Sequence, residues 1–400
     1  MISYNEAVDL IKNEFAKLQL ETEKVKLTDA VGRTLAEDIV ADVNLPPFDN
    51  SAVDGLAIKY EDGVTEWKIT GEISAGNYSG ENQYGAALIM TGAIVPPEFN
   101  TIIPLEDYDI VDDTAKLNPG AFVKKGMNIR RMGSDIKAGE VAISKGTLLK
   151  ARHLAAAASC GKAELLVYKK IKFALLATGD ELIPVTEIPT NDKIRVSNLY
   201  SLAGAVIENG QVTDSHGFIG DDKEAVKKKL EEMLESDADI ICTTGGVSVG
   251  KYDFVKDIFL ELGVEQIFWR AYIKPGKPAF FGKFESVNKI KLVFALPGNP
   301  VSSLVNFEVY LKSRIIELYN LPPVEKITAV LENDIRKNDK KRHFVKAFLF
   351  KNESGGYVVR SQISQSSGNL VELSQANCLI EIEEEIINPK KGDKVICIKM

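Results

Sequence analysis

The chain has 400 residues, 45% of them apolar, and a formal charge of −8. That length exceeds one ordinary domain, so about two to four are expected. The acidic balance argues against a general nucleic-acid binder, and any anionic ligand would need positive charge gathered locally. The four cysteines (Cys160, Cys242, Cys378, Cys397) form no CxxC pair, which speaks against a disulfide framework or a zinc site. With only His153, His216 and His343 present, a bound metal would be a hard ion held by carboxylates. The N-terminal residues carry no signal-peptide pattern and no apolar run reaches the length of a membrane span. A soluble, cytoplasmic protein is expected.

Residues 3–20 read as an amphipathic helix. Ser3 is placed to cap it, Glu6 follows three residues later, and Val8, Ile11, Phe15 and Leu18 recur at helical spacing. A second helical piece is expected over 27–33. At Leu45-Pro46-Pro47-Phe48-Asp49-Asn50-Ser51-Ala52-Val53-Asp54-Gly55 two prolines forbid helix, and four short polar residues crowd together. As composition alone this is a surface turn, but Phe48, Ala52 and Val53 suggest a pinned loop. Residues 56–118 hold short strand-like runs broken by glycine, proline and aspartate, a small β-domain. Within it, Met90-Thr91-Gly92-Ala93 places a hydroxyl and a glycine at a strand end. Arg130-Arg131-Met132-Gly133-Ser134-Asp135 reads on composition as an exposed charge cluster. His153 to Cys160 reads as a short helix stopped by Gly161, pairing with the N-terminal helices.

From Ile171 the rhythm becomes strand, loop, helix, and repeats to about residue 320. Strands are expected at 171–178, 211–219, 239–243, 264–269 and 290–296, and helices at 198–209, 222–235, 253–262 and 300–319. This alternation predicts an α/β domain with a mostly parallel, doubly wound sheet, whose ligands bind beyond the carboxyl ends of its strands. The loops at those ends carry Thr178-Gly179-Asp180-Glu181, Asp221, Gly245-Gly246-Val247-Ser248-Val249-Gly250 with Asp253, Arg270 to Pro278, and Pro297-Gly298-Asn299-Pro300. Asp221, with Glu224, is also a good helix cap. Glycines let backbone N–H groups approach an anion. Carboxylates, the cations Arg270, Lys274 and Lys277, and glycine turns together describe a site for a phosphorylated ligand with a divalent cation. Beyond Pro322-Pro323, residues 326–400 alternate as a compact all-β domain, with Gln362 to Asn369 its one unusual loop.

The motifs at 48–55, 90–93, 178–181, 245–250, 274–278 and 296–300, with the late Gln365-Ser366-Ser367-Gly368, together resemble the molybdopterin molybdenumtransferases, the MoeA-type proteins related to the gephyrin E domain. Their order and spacing match over nearly the whole chain. The resemblance implies four domains: a linking domain split over 1–42 and 136–168, a β-rich insertion at 43–135, the α/β molybdopterin-binding domain at 169–321 and a β-barrel-like domain at 322–400. It implies a reaction in which adenylylated molybdopterin and molybdate are substrates, magnesium assists, molybdenum is left on the dithiolene and AMP is released. It also implies a homodimer whose clefts are shared between subunits, with Asp54 and Thr91 on the partner side.

By the same resemblance Asp135, Glu181, Asp221, Asp253, Arg270 and Lys274 are catalytic positions, with Glu181 and Asp221 as magnesium ligands. Gly245, Gly246, Ser248, Gly250, Lys277, Pro297, Asn299 and Pro300 form the substrate-binding set. Lys274 and the glycine loop would neutralise pyrophosphate, and Arg270 would hold molybdate. Val53 stands where the family commonly has methionine, and Arg270 where it has lysine. A molybdopterin adenylyltransferase shares the Thr-Gly-Gly loop, but the extra domains and the Asp54 motif speak against it. A carrier or scaffold without catalysis is the alternative from another class, and the intact carboxylates favour the enzyme. Other pathway proteins, the adenylyltransferase and acceptor molybdoenzymes, are possible partners; nucleic acid and membrane are not expected.

Overall fold

The computed structural model describes residues 1–76, 85–190, 192–247, 254–286, 289–361 and 365–400. It divides into two units, Glu23–Val167 and Met1–Thr22 with Tyr168–Met400.

In the first unit six strands lie in the order Thr101–Pro104, Gly55–Ile58, Ala86–Ile89, Glu66–Ile73, Thr114–Leu117 and Tyr108–Val111. Side chains alternate between two cores: Leu56, Ile58 and Ile103 serve one, Ala57, Ile89 and Ile102 the other. Segments before and after this sheet share a further core, with Leu35 and Ile39 against Ile143, Leu149, Ala157 and Val167. The alanine-rich helix is Ala151–Ser159, and Gly161 takes φ +74 just beyond it. The helical piece expected over 27–33 is a single 3-10 turn, Leu27–Asp29.

The second unit begins with helix α1 (Tyr4–Phe15), capped by Ser3, whose side chain accepts from the Glu6 N–H. Its apolar face carries Ala7, Ile11 and Phe15 into the core of the α/β sheet, and the Phe15 and Phe294 rings lie 6.4 Å apart. This differs from the sequence reading, which grouped α1 with residues 136–168. The helix has one apolar stripe, and the large aromatics of the α/β sheet cover it.

The remaining elements are β1 (Lys172–Thr178), β2 (Leu182–Ile183), β3 (Ile194–Arg195), α2 (Asn198–Glu208), β4 (Val212–Ile219), α3 (Lys223–Glu235), β5 (Ile240–Thr244), α4 (Val255–Glu261), β6 (Glu265–Trp269), β7 (Ile273–Lys274), β8 (Phe280–Glu285), β9 (Ile290–Leu296) and α5 (Pro300–Asn306). The main sheet runs β4-β1-β5-β9-β8-β6. All pairings are parallel except those of β8, which runs against both neighbours. Alternation along β1 sends Phe173, Leu175 and Ala177 to the core under α1, α2 and α5. Ala174 and Leu176 go to the core under α3 and α4. Helices therefore cover both faces, as the strand–helix rhythm predicts.

Strand β8 is absent from the sequence reading. No helix separates β6 from β8, so the sheet gains an antiparallel strand there. The helix expected over 300–319 is interrupted: six π-helical residues, Phe307–Lys312, separate α5 from a last stretch, Ser313–Leu318. Within the same unit, Lys326–Leu331, Arg342–Lys351, Tyr357–Ser361, Cys378–Ile382 and Lys394–Lys399 close on themselves. Arg342–Lys351 pairs both with Tyr357–Ser361 and with Cys378–Ile382, which completes the ring. Strand β7 adds to this barrel, Lys274 opposite His343. Among the described residues no helix is long and apolar enough to cross a membrane.

Candidate functional site

The carboxyl ends of β1, β5 and β9 open onto a cavity of about 810 Å³. Seven residues singled out from the sequence line it: Glu181, Asp221, Gly245, Gly246, Pro297, Asn299 and Pro300. They meet because three parallel strands end at one level, with Thr178, Thr244 and Leu296 at or next to the last paired positions. The turn after β5 requires glycine. Gly245 has φ +96, and a Cβ there would stand 2.3 Å from the Thr178 carbonyl oxygen. Its N–H donates to the Leu296 carbonyl, fastening the turn to the end of β9. Gly179 is less constrained: a Cβ would fall 2.4 Å from a Glu181 carboxylate oxygen, the far end of a side chain that can turn away.

Asp221 does not cap α3, in contrast to the sequence reading. Helix α3 starts one residue later, at Lys223, and Asp222 is the cap, its side chain accepting from the Ala225 N–H at 2.8 Å. Asp221 turns instead to the loop after β1. Its N–H donates to Asp180 Oδ1 at 2.8 Å, and the Asp180 N–H donates to Asp221 Oδ2 at 3.4 Å. This exchange carries Asp221 onto the cavity wall.

The cations sort differently from expectation. Arg270, Lys274 and Lys277 are not among the residues lining this cavity. The Arg270 guanidinium lies 3.8 Å from the centre of the Trp269 ring, a cation–π stack. Lys274 is an exposed residue of β7, and Lys277 is exposed in the turn before β8. Lys193 and Arg195 line the cavity in their place, together with Thr178, Ser197, Pro278, Gly368 and Leu370. The sequence reading passed over Lys193-Ile194-Arg195. The usable signal was two cations spaced by one residue just before α2. Gly368 belongs to the polar loop that composition marked as unusual.

Asp54, Thr91 and Asp135 belong to the unit Glu23–Val167. Asp54 Oδ1 accepts from the Thr91 N–H at 2.6 Å and from the Thr91 hydroxyl at 2.8 Å. Those two bonds, the backbone one foremost, hold the Asp54 carboxyl below the usual carboxylate range. Asp135 accepts from the Arg130 guanidinium at 2.6 Å, so the double arginine is partly spent within its own turn. Arg131 and the Met132 N–H likewise serve Asp49. Ser248, Gly250 and Asp253 lie outside the described residues.

Among the described residues no group of three or more His, Cys, Asp and Glu side chains could hold a metal ion unaided. Glu181 and Asp221 both line the cavity, and carboxylate oxygens are hard donors of the kind a magnesium ion takes. The four cysteines are buried and free, and none lines the cavity. Burial pushes the Cys242 thiol up to about 12.

Three family descriptions match in order: the MoeA N-terminal region (domain I and II) over residues 2–161, a probable molybdopterin binding domain over 174–317, and the MoeA C-terminal region (domain IV) over 328–399. A molybdopterin molybdenumtransferase of Haemophilus influenzae is 33% identical over 389 residues, covering 94% of this chain and 93% of its own. One from Staphylococcus aureus is 30% identical over 390 residues, covering 95% and 91%. Among solved structures, a molybdopterin biosynthesis moeA protein from Pyrococcus horikoshii superposes with a TM-score of 0.81 at 31% identity, each chain covered in full. On this ordered match the chain belongs to the MoeA family of molybdopterin molybdenumtransferases.

Proposed function

We propose that this protein acts in molybdenum cofactor biosynthesis as an enzyme that inserts molybdate into adenylylated molybdopterin. The adenylate is hydrolysed and AMP is released. The observation that carries this reading is one cavity joining the Glu181 and Asp221 carboxylates to the glycine turn at Gly245 and Gly246. Such a turn lets backbone approach a pyrophosphate, and the carboxylates supply the hard donors that magnesium takes beside phosphate oxygens. Magnesium held there would neutralise charge building up on the phosphoryl group. Glu181 and Asp221 would orient the attacking water, whose oxygen bonds to phosphorus as the pyrophosphate bridge breaks. Holding molybdate beside the dithiolene turns ligand exchange into a local event. The sulfurs belong to the substrate, which accords with a cavity free of cysteine.

We further propose a cytoplasmic homodimer in which Asp54, Thr91 and Asp135 of one subunit serve the cavity of the other. Mixing inactive Asp54→Ala and Asp221→Ala proteins under conditions of subunit exchange should restore up to about a quarter of the activity if clefts are shared, the statistical share of clefts free of both substitutions. The primary test is AMP release from adenylylated molybdopterin with magnesium, with and without molybdate, in the wild type and in Asp221→Ala. Molybdate-dependent AMP that disappears in the variant supports the reading. A folded protein that binds the ligand and releases no AMP would sink it and favour a carrier or scaffold.

A further inference from the structure

The cavity wall holds two carboxylates, Glu181 and Asp221, and two cations, Lys193 and Arg195. The cations sit on a rib stitched to the loop that carries Glu181. Strands β2 and β3 pair in parallel, Leu182 opposite Ile194 and Ile183 opposite Arg195. The Ile194 N–H donates to the Glu181 carbonyl at 2.8 Å, and the Val196 N–H to the Ile183 carbonyl at 3.0 Å. A metal-type carboxylate and the two cations are thereby fixed to one frame.

Each cation is anchored without being neutralised. Lys193 Nζ donates to the Asp180 carbonyl at 2.7 Å, and Arg195 Nε to the Glu187 carbonyl at 2.8 Å. Among the described residues no carboxylate stands within ion-pair distance of either. A carbonyl orients a cation but leaves its charge in place, so that charge remains for a ligand. Positions 193 and 195 share one side of an extended segment, about 6.6 Å apart along it. That spacing suits two successive phosphoryl groups, with the planar guanidinium forked on one and the ammonium a point charge on the other.

We propose that Lys193 and Arg195 are the clamp for the ligand's pyrophosphate, a role that the sequence reading assigns to Lys274 with the glycine loop. The proposal rests on the reading that the cavity takes adenylylated molybdopterin. It gives the wall a division of labour. The carboxylates face the magnesium ion, and the rib opposite them in charge holds the phosphate oxygens that magnesium leaves free.

The test uses the full chain and two probes with magnesium present: inorganic pyrophosphate and molybdopterin, itself a phosphate monoester. Affinities are compared for the wild type, Lys193→Gln, Arg195→Gln, the double variant and Arg195→Lys, at two salt concentrations. Arg195 is exposed and Lys193 half-buried, so the variants are expected to fold. Each single loss should weaken pyrophosphate about tenfold and the double about a hundredfold, with a shallower salt dependence. Arg195→Lys should restore part of the loss, because charge is kept and the fork is not. In turnover, KM should rise while kcat stays within about threefold. Pyrophosphate affinity in the double variant within twofold of wild type overturns the clamp, as does a wild type that binds neither probe. A wild type that binds pyrophosphate through the two cations but no molybdopterin keeps the clamp and removes the molybdenumtransferase reading instead.

Discussion

Asp180 and Asp221 hold one another through their backbones: each N–H donates to the other's carboxylate, at 2.8 Å onto Asp180 and 3.4 Å onto Asp221. The two residues come from loops 41 positions apart, and the exchange locks those loops beside each other. Asp180 is therefore a positioning residue for Asp221. Asp180→Ala should raise the magnesium concentration needed for half-maximal AMP release by about tenfold, the value of one charge-assisted hydrogen bond. Asp180→Asn keeps an oxygen for the Asp221 N–H and should recover most of the loss. Equal magnesium curves for wild type and Asp180→Ala would remove the positioning role.

The Asp54 carboxyl titrates low because Thr91 offers it an N–H first and a hydroxyl second. Thr91→Val removes the hydroxyl and leaves the amide. The Asp54 midpoint, followed by NMR against pH, should rise toward the ordinary carboxylate value without reaching it. The linkage has a definite sign. A folded pKa below the unfolded one contributes stability above the unfolded value, and that contribution fades as pH falls through the folded value. Thr91→Val should narrow this acidic window, and an unmoved midpoint would show that the amide alone sets it.

Lys346 is buried, 2% exposed, and among the described residues the partners of its ammonium lie between Ser366 and Glu372. Its Nζ donates to the Ser366 and Asn369 carbonyls at 3.1 and 3.3 Å, with Glu372 Oε2 at 3.6 Å. The Ser367 carbonyl in turn accepts from the Val301 N–H in the first turn of α5. This loop supplies Gly368 and Leu370 to the cavity. Lys346→Met should cost about 3 kcal/mol in urea unfolding and speed proteolysis near residue 368. Lys346→Met with Glu372→Gln should regain part of that stability, since no carboxylate is then left facing an apolar chain. Unchanged loop protection in folded Lys346→Met would refute the anchor.

Two glycines of the cavity wall should respond differently to alanine. At Gly245 the new methyl meets the Thr178 carbonyl oxygen at 2.3 Å on a backbone with φ +96. Gly245→Ala should lower stability by about 1–3 kcal/mol and abolish ligand binding. At Gly298 the nearest atom to an added methyl is the Gly245 Cα, at an ordinary 3.6 Å. Gly298→Ala should leave the melting temperature nearly unchanged. Equal melting temperatures for the two variants would show that the turn at Gly245 relaxes freely.

Much of the α/β domain was legible because its signals are local. Ser3 before Glu6 marks the start of α1, and the spacing of Val8, Ile11, Phe15 and Leu18 marks its packed face, with Val8 and Leu18 partly buried and Ala7 joining Ile11 and Phe15 in the core. Short apolar runs alternating with helical stretches gave β1, β4, β5, β6 and β9 to within a residue or two. The glycine turn after β5 was readable because only glycine accepts that backbone so close to Thr178.

Other features depend on strand order and register, which local pattern does not encode. Antiparallel β8 and the docking of α1 on the sheet follow from which surfaces remained uncovered once the strands had paired. The choice between Asp221 and Asp222 as helix cap turned on a one-residue shift in where α3 begins. The sequence by itself determined the family, the fold class and the carboxylate and glycine chemistry of the site, because residue type and spacing carry them. Only the tertiary structure decided which cations meet the cavity. Arg270 stacks on its neighbour Trp269, while Lys193 and Arg195 reach the wall on a rib whose partner strand is Leu182–Ile183.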